Sequence, residues 1–296
     1  MTFSAKRLPS ITIPFAVVML VLLSSCDASS LGGQTQNLRF EHGGLERSVE
    51  VFIPGTVTDS PNVPLVIAFH GAGGSGPLFR EQSRLDEQAN EDDFAVAYPT
   101  ATGANWAEGC DCVRPDLDGV DDVGFAAAII DEVEKVMEVD RRNVYAVGYS
   151  QGAVFLHHLA CESGDTFAGF ASVAGMMSVP VSESCSRTAP AHMMMVNGSD
   201  DTVLPFDGQD AGSQSLLSAV DTMLRWRDEA GCVGGAVRTT ERVGTARADV
   251  RRYGTCENGA QVHLYELLDH GHEWPAPDVA VEAEISSFFG LRRDDF

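Results

Sequence analysis

Positive charge is scarce in this chain of 296 residues: 20 Lys and Arg stand against 43 Asp and Glu, for a net charge of −23. Nucleic acid and anionic membrane surfaces are both gripped by a cationic face, so neither partner is expected. The acidic excess reads as solubility and says little about a substrate. Paired C-x-x-C sites are missing as well, and with them the usual spacing of a structural zinc site, so no metal is expected. There is no internal repeat and no long low-complexity linker. What remains is enough for one domain, and a hydrophobic fraction of 44% is ample for its core.

The N-terminus reads as a targeting segment. Lys6 and Arg7 precede an apolar run at 11–23, too short to span a bilayer comfortably, and Ser24, Ser25 and Cys26 follow it. Leu23-Ser24-Ser25-Cys26 resembles a bacterial lipoprotein box, in which the cysteine becomes the lipidated first residue. Ordinary signal-peptide cleavage, with Cys26 incidental, is the alternative. The reading predicts a signal peptide at 1–25, a polar tether at 26–36 and a folded domain at 37–296. It also predicts export to the periplasm or the exterior, with lipidated Cys26 as the only membrane contact.

Six further cysteines fall in the folded part, an even number that suits disulfides in an exported protein. Two sequence-local pairs stand out, Cys161 with Cys185 and Cys232 with Cys256. Pairing the remaining Cys110 and Cys112 closes a very tight ring.

Apolar runs at 65–69, 95–98, 144–147, 170–173 and 193–196 suit strands buried on both faces of a parallel sheet. Helical periodicity falls between them, at 80–90, 123–138, 153–162 and 216–229. A hairpin at 37–53, a last strand at 262–267 and a helix at 279–289 complete the pattern. Strand and helix alternate, which predicts an α/β architecture with a mostly parallel central sheet and helices on both faces.

Gly148-Tyr149-Ser150-Gln151-Gly152 lies between the 144–147 strand and the 153–162 helix. A G-x-S-x-G alone is weak evidence. In a strand–turn–helix setting the glycines permit a sharp bend that lifts the Ser150 hydroxyl above the sheet. A hydroxyl needs a base to take its proton and an acid to orient that base, in the order Ser, acid, His for such a fold. His272 and His270 both follow the last strand, and Asp200 and Asp201 both follow the 193–196 strand; spacing chooses in neither case. His157 and His158 suit helix packing, His192 and His263 suit strands, and His70 suits bonding of loop backbone. Two amides aimed at a developing oxyanion are also needed. Gln151 supplies one, and the loop His70-Gly71-Ala72-Gly73-Gly74 supplies the other from Ala72, with Gly71 as the alternative.

These residues resemble the secreted polyhydroxybutyrate depolymerase and feruloyl esterase family, related to family-one carbohydrate esterases. The resemblance runs from about residue 47 to 289. It rests on His70-Gly71, Asn105-Trp106, Asp121-Asp122-Val123-Gly124-Phe125, the Ser150 elbow, Gly198-Ser199-Asp200-Asp201 and Gly271-His272-Glu273-Trp274-Pro275. It implies an α/β-hydrolase fold and a triad of Ser150, Asp201 and His272. It further implies hydrolysis of hydroxyalkanoate, hydroxycinnamate or acetyl esters without metal or organic cofactor. The family pattern favours Asp201 over Asp200 and His272 over His270. Two departures stand out: many relatives have Cys where this chain has Ala72, and a second glycine where it has Ala153. Neither removes a catalytic group, but both weaken assignment to one substrate subgroup.

Asp121 and Asp122, just ahead of a helical run, are expected to serve its N-terminus rather than chemistry. Trp106 and Trp274 are offered as substrate-binding walls, with core packing as the alternative for each. A serine peptidase of the same fold and a non-catalytic binding lipoprotein are the rival readings.

Overall fold

Residues 65–69 carry apolar side chains without interruption because neighbours cover both faces of their strand. Leu65, Ile67 and Phe69 belong to one core, while Val66 and Ala68 point into another. The computed structural model describes residues 32–163, 165–186 and 192–292. Residues 31–296 form one compact unit. Cys26 and the targeting segment lie outside the described residues.

The strands are β1 (Gly33–His42), β2 (Leu45–Pro54), β3 (Val63–Phe69), β4 (Ala95–Thr100) and β5 (Val139–Tyr149). They continue with β6 (Gly169–Val173), β7 (His192–Gly198), β8 (Val237–Val243), β9 (Ala246–Tyr253) and β10 (Val262–Leu267). One mixed sheet of ten strands runs in the order β1-β2-β4-β3-β5-β6-β7-β10-β9-β8. Its centre, from β4 to β10, is parallel; β1–β2 and β8–β9 add antiparallel margins.

The helices are α1 (Gly76–Ser83), α2 (Leu85–Asp92), α3 (Arg114–Leu117), α4 (Asp122–Val133), α5 (Gln151–Glu162), α6 (Val179–Ser184), α7 (Ala219–Glu229) and α8 (Val281–Phe288). One core joins α4, α5 and α7 to the sheet through Phe125, Phe155 and Trp226. The other joins α1, α2 and α8 to the opposite face through Phe79, Leu85 and Ile285. Helices therefore cover both faces, as the strand–helix alternation predicts. Among the described residues no helix is long and apolar enough to cross a membrane.

Several boundaries differ from the pattern reading. The first strand begins at Gly33, so four residues assigned to the tether pair with β2 instead. The single helix expected at 80–90 is two helices, broken where Arg84 takes a left-handed conformation (φ 52°) and its N–H closes α1 on the Arg80 carbonyl. All three expected disulfides are present: Cys110–Cys112, Cys161–Cys185 and Cys232–Cys256.

Candidate active site

The chain turns sharply at the end of β5. Ser150 sits at φ 53°, ψ −121°, a sparsely populated region for a residue with a side chain. Its N–H donates to the Val173 carbonyl at 3.0 Å, and α5 starts at the next residue. The turn tolerates no bulk: a methyl on Gly152 would lie 2.3 Å from the Phe69 carbonyl oxygen and 2.5 Å from that of His70. That close approach brings the loop after β3 against the serine.

Ser150 Oγ lies 2.8 Å from His272 Nε2, and His272 Nδ1 lies 2.7 Å from Asp201 Oδ2. Asp201 is held by its other oxygen, Oδ1, which accepts the Val203 and Leu204 N–H groups at 2.8 Å each. Its side chain is buried, so the carboxylate has one orientation. The two open pairs of candidates separate here. Asp200 faces solvent and accepts from Ser199 Oγ, while its N–H donates to the His270 carbonyl. His270 turns away to the Leu268 carbonyl through Nδ1.

Ala72 and Gln151 flank Ser150 in a cleft of about 230 Å³, also lined by Glu108, Val113, Val154, Val203, Leu204, Gln209, Gln214 and Leu216. Among the described residues, neither the Ala72 nor the Gln151 amide donates to a protein acceptor. Gln151 opens α5, where the first N–H groups have no intrahelical partner and the helix dipole is positive. The site therefore offers two free donors beside an oriented hydroxyl, imidazole and carboxylate.

The other polar groups stabilise the surroundings. His70 is buried; its Nδ1 donates to the Gly71 carbonyl at 2.7 Å and its Nε2 accepts the Ala101 N–H at 3.1 Å, and burial pulls its pKa down. His157 lies on the buried face of α5, where it accepts the Trp226 indole N–H; burial draws it down to about 3 and keeps it neutral. Asp121 caps α4 by accepting the Gly124 N–H at 2.7 Å. Asp122 is buried against Arg47 at 2.5 Å and accepts the Ala107 N–H. Its carboxyl is pushed up because burial outweighs the pull of the guanidinium.

Both tryptophans offered as substrate walls lie elsewhere. Trp106 is 0% exposed; its ring stacks on Phe155, meets Phe69 edge-on, and donates its N–H to the His70 carbonyl. Trp274 is 5% exposed, packs edge-on against Phe79 and Tyr149, and donates to Glu282 Oε1 at 2.9 Å. Proximity in sequence to a catalytic motif drew attention to both, but their indoles pack into cores behind the cleft. Trp274 braces the His272 loop through Tyr149, whose hydroxyl donates to the His272 carbonyl at 3.3 Å.

Glu108 went unnoticed in the sequence. It lies in a Gly- and Cys-rich loop without a recognisable motif, yet it lines the cleft beside Ser150. Its carboxyl is pushed up to about 7, chiefly by burial; the Gln151 side-chain amide opposes the rise and Asp116 adds to it. Glu108, Cys110 and Cys112 could together surround a cation, but both sulfurs are committed to the disulfide.

Similarity to known proteins follows the same outline. The protein NocK of Nocardia uniformis subsp. tsuyamanensis, which bears an esterase name, is 37% identical over 158 residues, 52% of this chain and 45% of its own. A bifunctional acetylxylan esterase/xylanase of Neocallimastix patriciarum is 25% identical over 80% of this chain and 32% of its own length. The chain spans less than half the length of these two relatives. An acetyl xylan esterase from Aspergillus awamori shares the fold, with a TM-score of 0.62 at 16% identity over 88% of this chain and all of that one. The family described as Esterase PHB depolymerase matches residues 48–212, a span that holds the Ala72 loop, the Ser150 elbow and Asp201 and covers more than half the chain; the chain belongs to the Esterase PHB depolymerase family.

Proposed function

We propose that this protein is an exported serine carboxylic-ester hydrolase working through an acyl-enzyme. The reading rests above all on the Ser150–His272–Asp201 chain of contacts at 2.8 and 2.7 Å, beside two free amides. His272 Nε2 takes the Ser150 proton as Oγ attacks the ester carbonyl carbon. The carbonyl oxygen becomes an oxyanion, stabilised by the Gln151 and Ala72 N–H groups. Asp201 holds the Nδ1–H tautomer and steadies the imidazolium. Collapse of the tetrahedral intermediate breaks the C–O bond to the alcohol, which leaves with the proton from Nε2. Water then attacks the acyl-Ser150 ester by the same route, releasing the acid and restoring the hydroxyl.

Val154, Val203, Leu204 and Leu216 give the cleft an apolar wall, and Glu108, Gln209 and Gln214 add polar groups. That mixture suits a small acyl group with a hydrogen-bonding substituent. Hydroxyalkanoate, hydroxycinnamate and acetyl esters are the substrates to test. Three disulfides fit an oxidising compartment, in keeping with export. Lipidation of Cys26 is proposed from the sequence alone, and the mass of the mature N-terminus tests it.

The decisive experiment is Ser150→Ala assayed on a short p-nitrophenyl ester. Hydrolysis should fall by about three orders of magnitude or more. A variant as active as the parent would sink the reading.

A further inference from the structure

The two amides assigned to the oxyanion come from different elements, the loop after β3 and the first residue of α5, and their spacing must be held by something. Trp106 touches both sides. Its indole N–H donates at 2.8 Å to the carbonyl of His70, two residues ahead of Ala72. Its backbone is gripped by the Gln151 side chain: Trp106 N–H donates to Oε1 at 3.3 Å, and Nε2 reaches the Trp106 carbonyl at 3.5 Å. The same segment is pinned to the Ala72 loop twice more, by Gly73 N–H to the Ala104 carbonyl at 2.8 Å and Ala101 N–H to His70 Nε2 at 3.1 Å. On its far side, the Ala107 N–H donates to buried Asp122, itself paired with Arg47.

The Trp106 ring is immobilised between Phe155, which belongs to the same helix as Gln151, and Phe69, which ends the strand leading to Ala72. Ring, indole N–H and main chain all bridge the same two elements. A merely space-filling residue would need only the ring.

We propose that Trp106 is a positioning residue that sets the separation of the Gln151 and Ala72 amides, and so tunes stabilisation of the oxyanion without touching substrate. The proposal rests on the ester-hydrolase reading above. Loss of the clamp leaves ground-state binding in place and weakens an interaction made mainly in the transition state, so it lowers kcat and spares KM.

Trp106→Phe keeps an aromatic ring in the slot and removes the indole donor. On p-nitrophenyl acetate its kcat should fall about tenfold, with the roughly hundredfold or greater loss of a whole oxyanion donor as the ceiling, while KM stays within about twofold. The inhibition constant of a boronic-acid transition-state analogue should rise by the same factor as kcat falls. Gln151→Leu provides a second test, because it severs the grip on the Trp106 backbone and retains both the main-chain amide at 151 and the indole. The Gln151 side chain also bonds Glu108, so Glu108→Gln is measured beside it, and the clamp predicts the same split with a fall in kcat well beyond that of Glu108→Gln. Gln151→Leu decides the matter if Trp106→Phe does not fold. An unchanged kcat in the folded variants, or a rise in KM alone, overturns the clamp. Ser150→Ala is run alongside: if it hydrolyses the ester at the parent rate, the ester-hydrolase reading itself has failed, whereas an inactive Ser150→Ala with unimpaired clamp variants refutes the clamp only.

Discussion

Replacing Glu108 by Gln should change the pH dependence of folding stability in a way that no other single substitution in the cleft would. The carboxyl is pushed up from 4.5 to about 7 in the folded protein, and burial is the main cause. Below about pH 4.5 it is protonated both folded and unfolded and costs nothing. Between there and pH 7 the unfolded chain releases the proton while the folded chain keeps it, so stability falls as pH rises. Above 7 the folded carboxylate is charged in a partly dehydrated wall, and the whole loss has accrued. The interval corresponds to about 3 kcal/mol, an upper figure for a group that still meets water in the cleft. Gln has nearly the same shape and no proton to lose. Urea denaturation of both proteins, at steps from about pH 4 to 8.5, isolates the effect because all other groups titrate in both. The stability difference, Glu108→Gln minus parent, should be flat below about pH 4.5. It should then grow in favour of the variant by about 2–3 kcal/mol at pH 8. Parallel curves across the range would refute the reasoning, and a difference growing toward acid would mean Glu108 has a cationic partner.

Other substitutions test other links. Asp201→Asn keeps a side chain that can accept the Val203 and Leu204 amides but loses the charge facing His272 Nδ1; kcat on a p-nitrophenyl ester should drop about 10⁴-fold with the fold intact, and a modest loss would deny it the orienting role. Gly152→Ala forces a methyl against the Phe69 and His70 carbonyls, so circular dichroism should show low thermal stability and hydrolysis should be largely lost; a parent-like rate would mean the elbow can open. Removing one member of the buried Arg47–Asp122 pair by Arg47→Met should destabilise by about 3–5 kcal/mol, and adding Asp122→Leu should recover part of it, as read by denaturation midpoints. Reducing Cys161–Cys185 or Cys232–Cys256, each closing a separation of 24 residues, should cost about 3 kcal/mol apiece; unchanged stability in the paired Cys→Ser variants would contradict this.

The central strands were legible because burial on both faces requires an apolar side chain at every position, which leaves an unmistakable run. Residues 65–69 are legible within β3 for that reason. The β8–β9 hairpin left no such mark. β8 is an exposed margin whose side chains include Arg238, Thr239, Thr240 and Arg242, and β9 buries only Ala246, Ala248 and Val250 among its alternating positions before Tyr253. Alanine is a poor strand former and a weak hydrophobic signal. Arg84 likewise gives no hint of a left-handed break. It interrupts a periodic stretch because α1 and α2 must each turn an apolar residue, Phe79 and Leu85, into the same core.

In the site, legibility followed the chemistry. A nucleophile, an acid and a base must stand after particular strands, which marks Ser150 and narrows the acid to Asp200 or Asp201 and the base to His270 or His272; the family resemblance favours Asp201 and His272, and the contacts among these three are short. The cleft walls obey no such rule. Glu108, Val113 and Gln209 come from irregular loops closed by contacts six or seven residues apart that no periodic pattern announces: Asp116 accepts the Gly109 and Cys110 amides, and Gln209 pairs with Leu216. Pattern reasoning does not reach the side chains that such loops turn inward. The tryptophans stay ambiguous in sequence because an aromatic beside such a motif reads the same whether it faces the cleft or packs into a core, and the structure buries both.

The register of the sheet explains why so few residues suffice. β7 and β10 are parallel neighbours, with Gly198 opposite Leu267, so Asp201, three residues beyond one, and His272, five beyond the other, emerge side by side. The serine comes from β5, one strand further away, with β6 between. That gap is bridged from both ends: the Ser150 N–H is tied to Val173 at the end of β6, and His272 leans back across Tyr149, rings 5.8 Å apart. On the opposite side β3 adjoins β5 directly, with Phe69 opposite Gly148, and the glycine at 152 lets the Ala72 loop close over the elbow. Asp201 and His272 are thus brought together by pairing of adjacent strands, whereas Ser150 and the Gln151 and Ala72 amides meet through tight backbone packing around Gly152 and the Trp106 contacts. Substitutions near Asp201 and His272 should therefore act through charge and tautomer, and those near Ser150 through geometry, which is why the glycine and the tryptophan are the more telling positions to change.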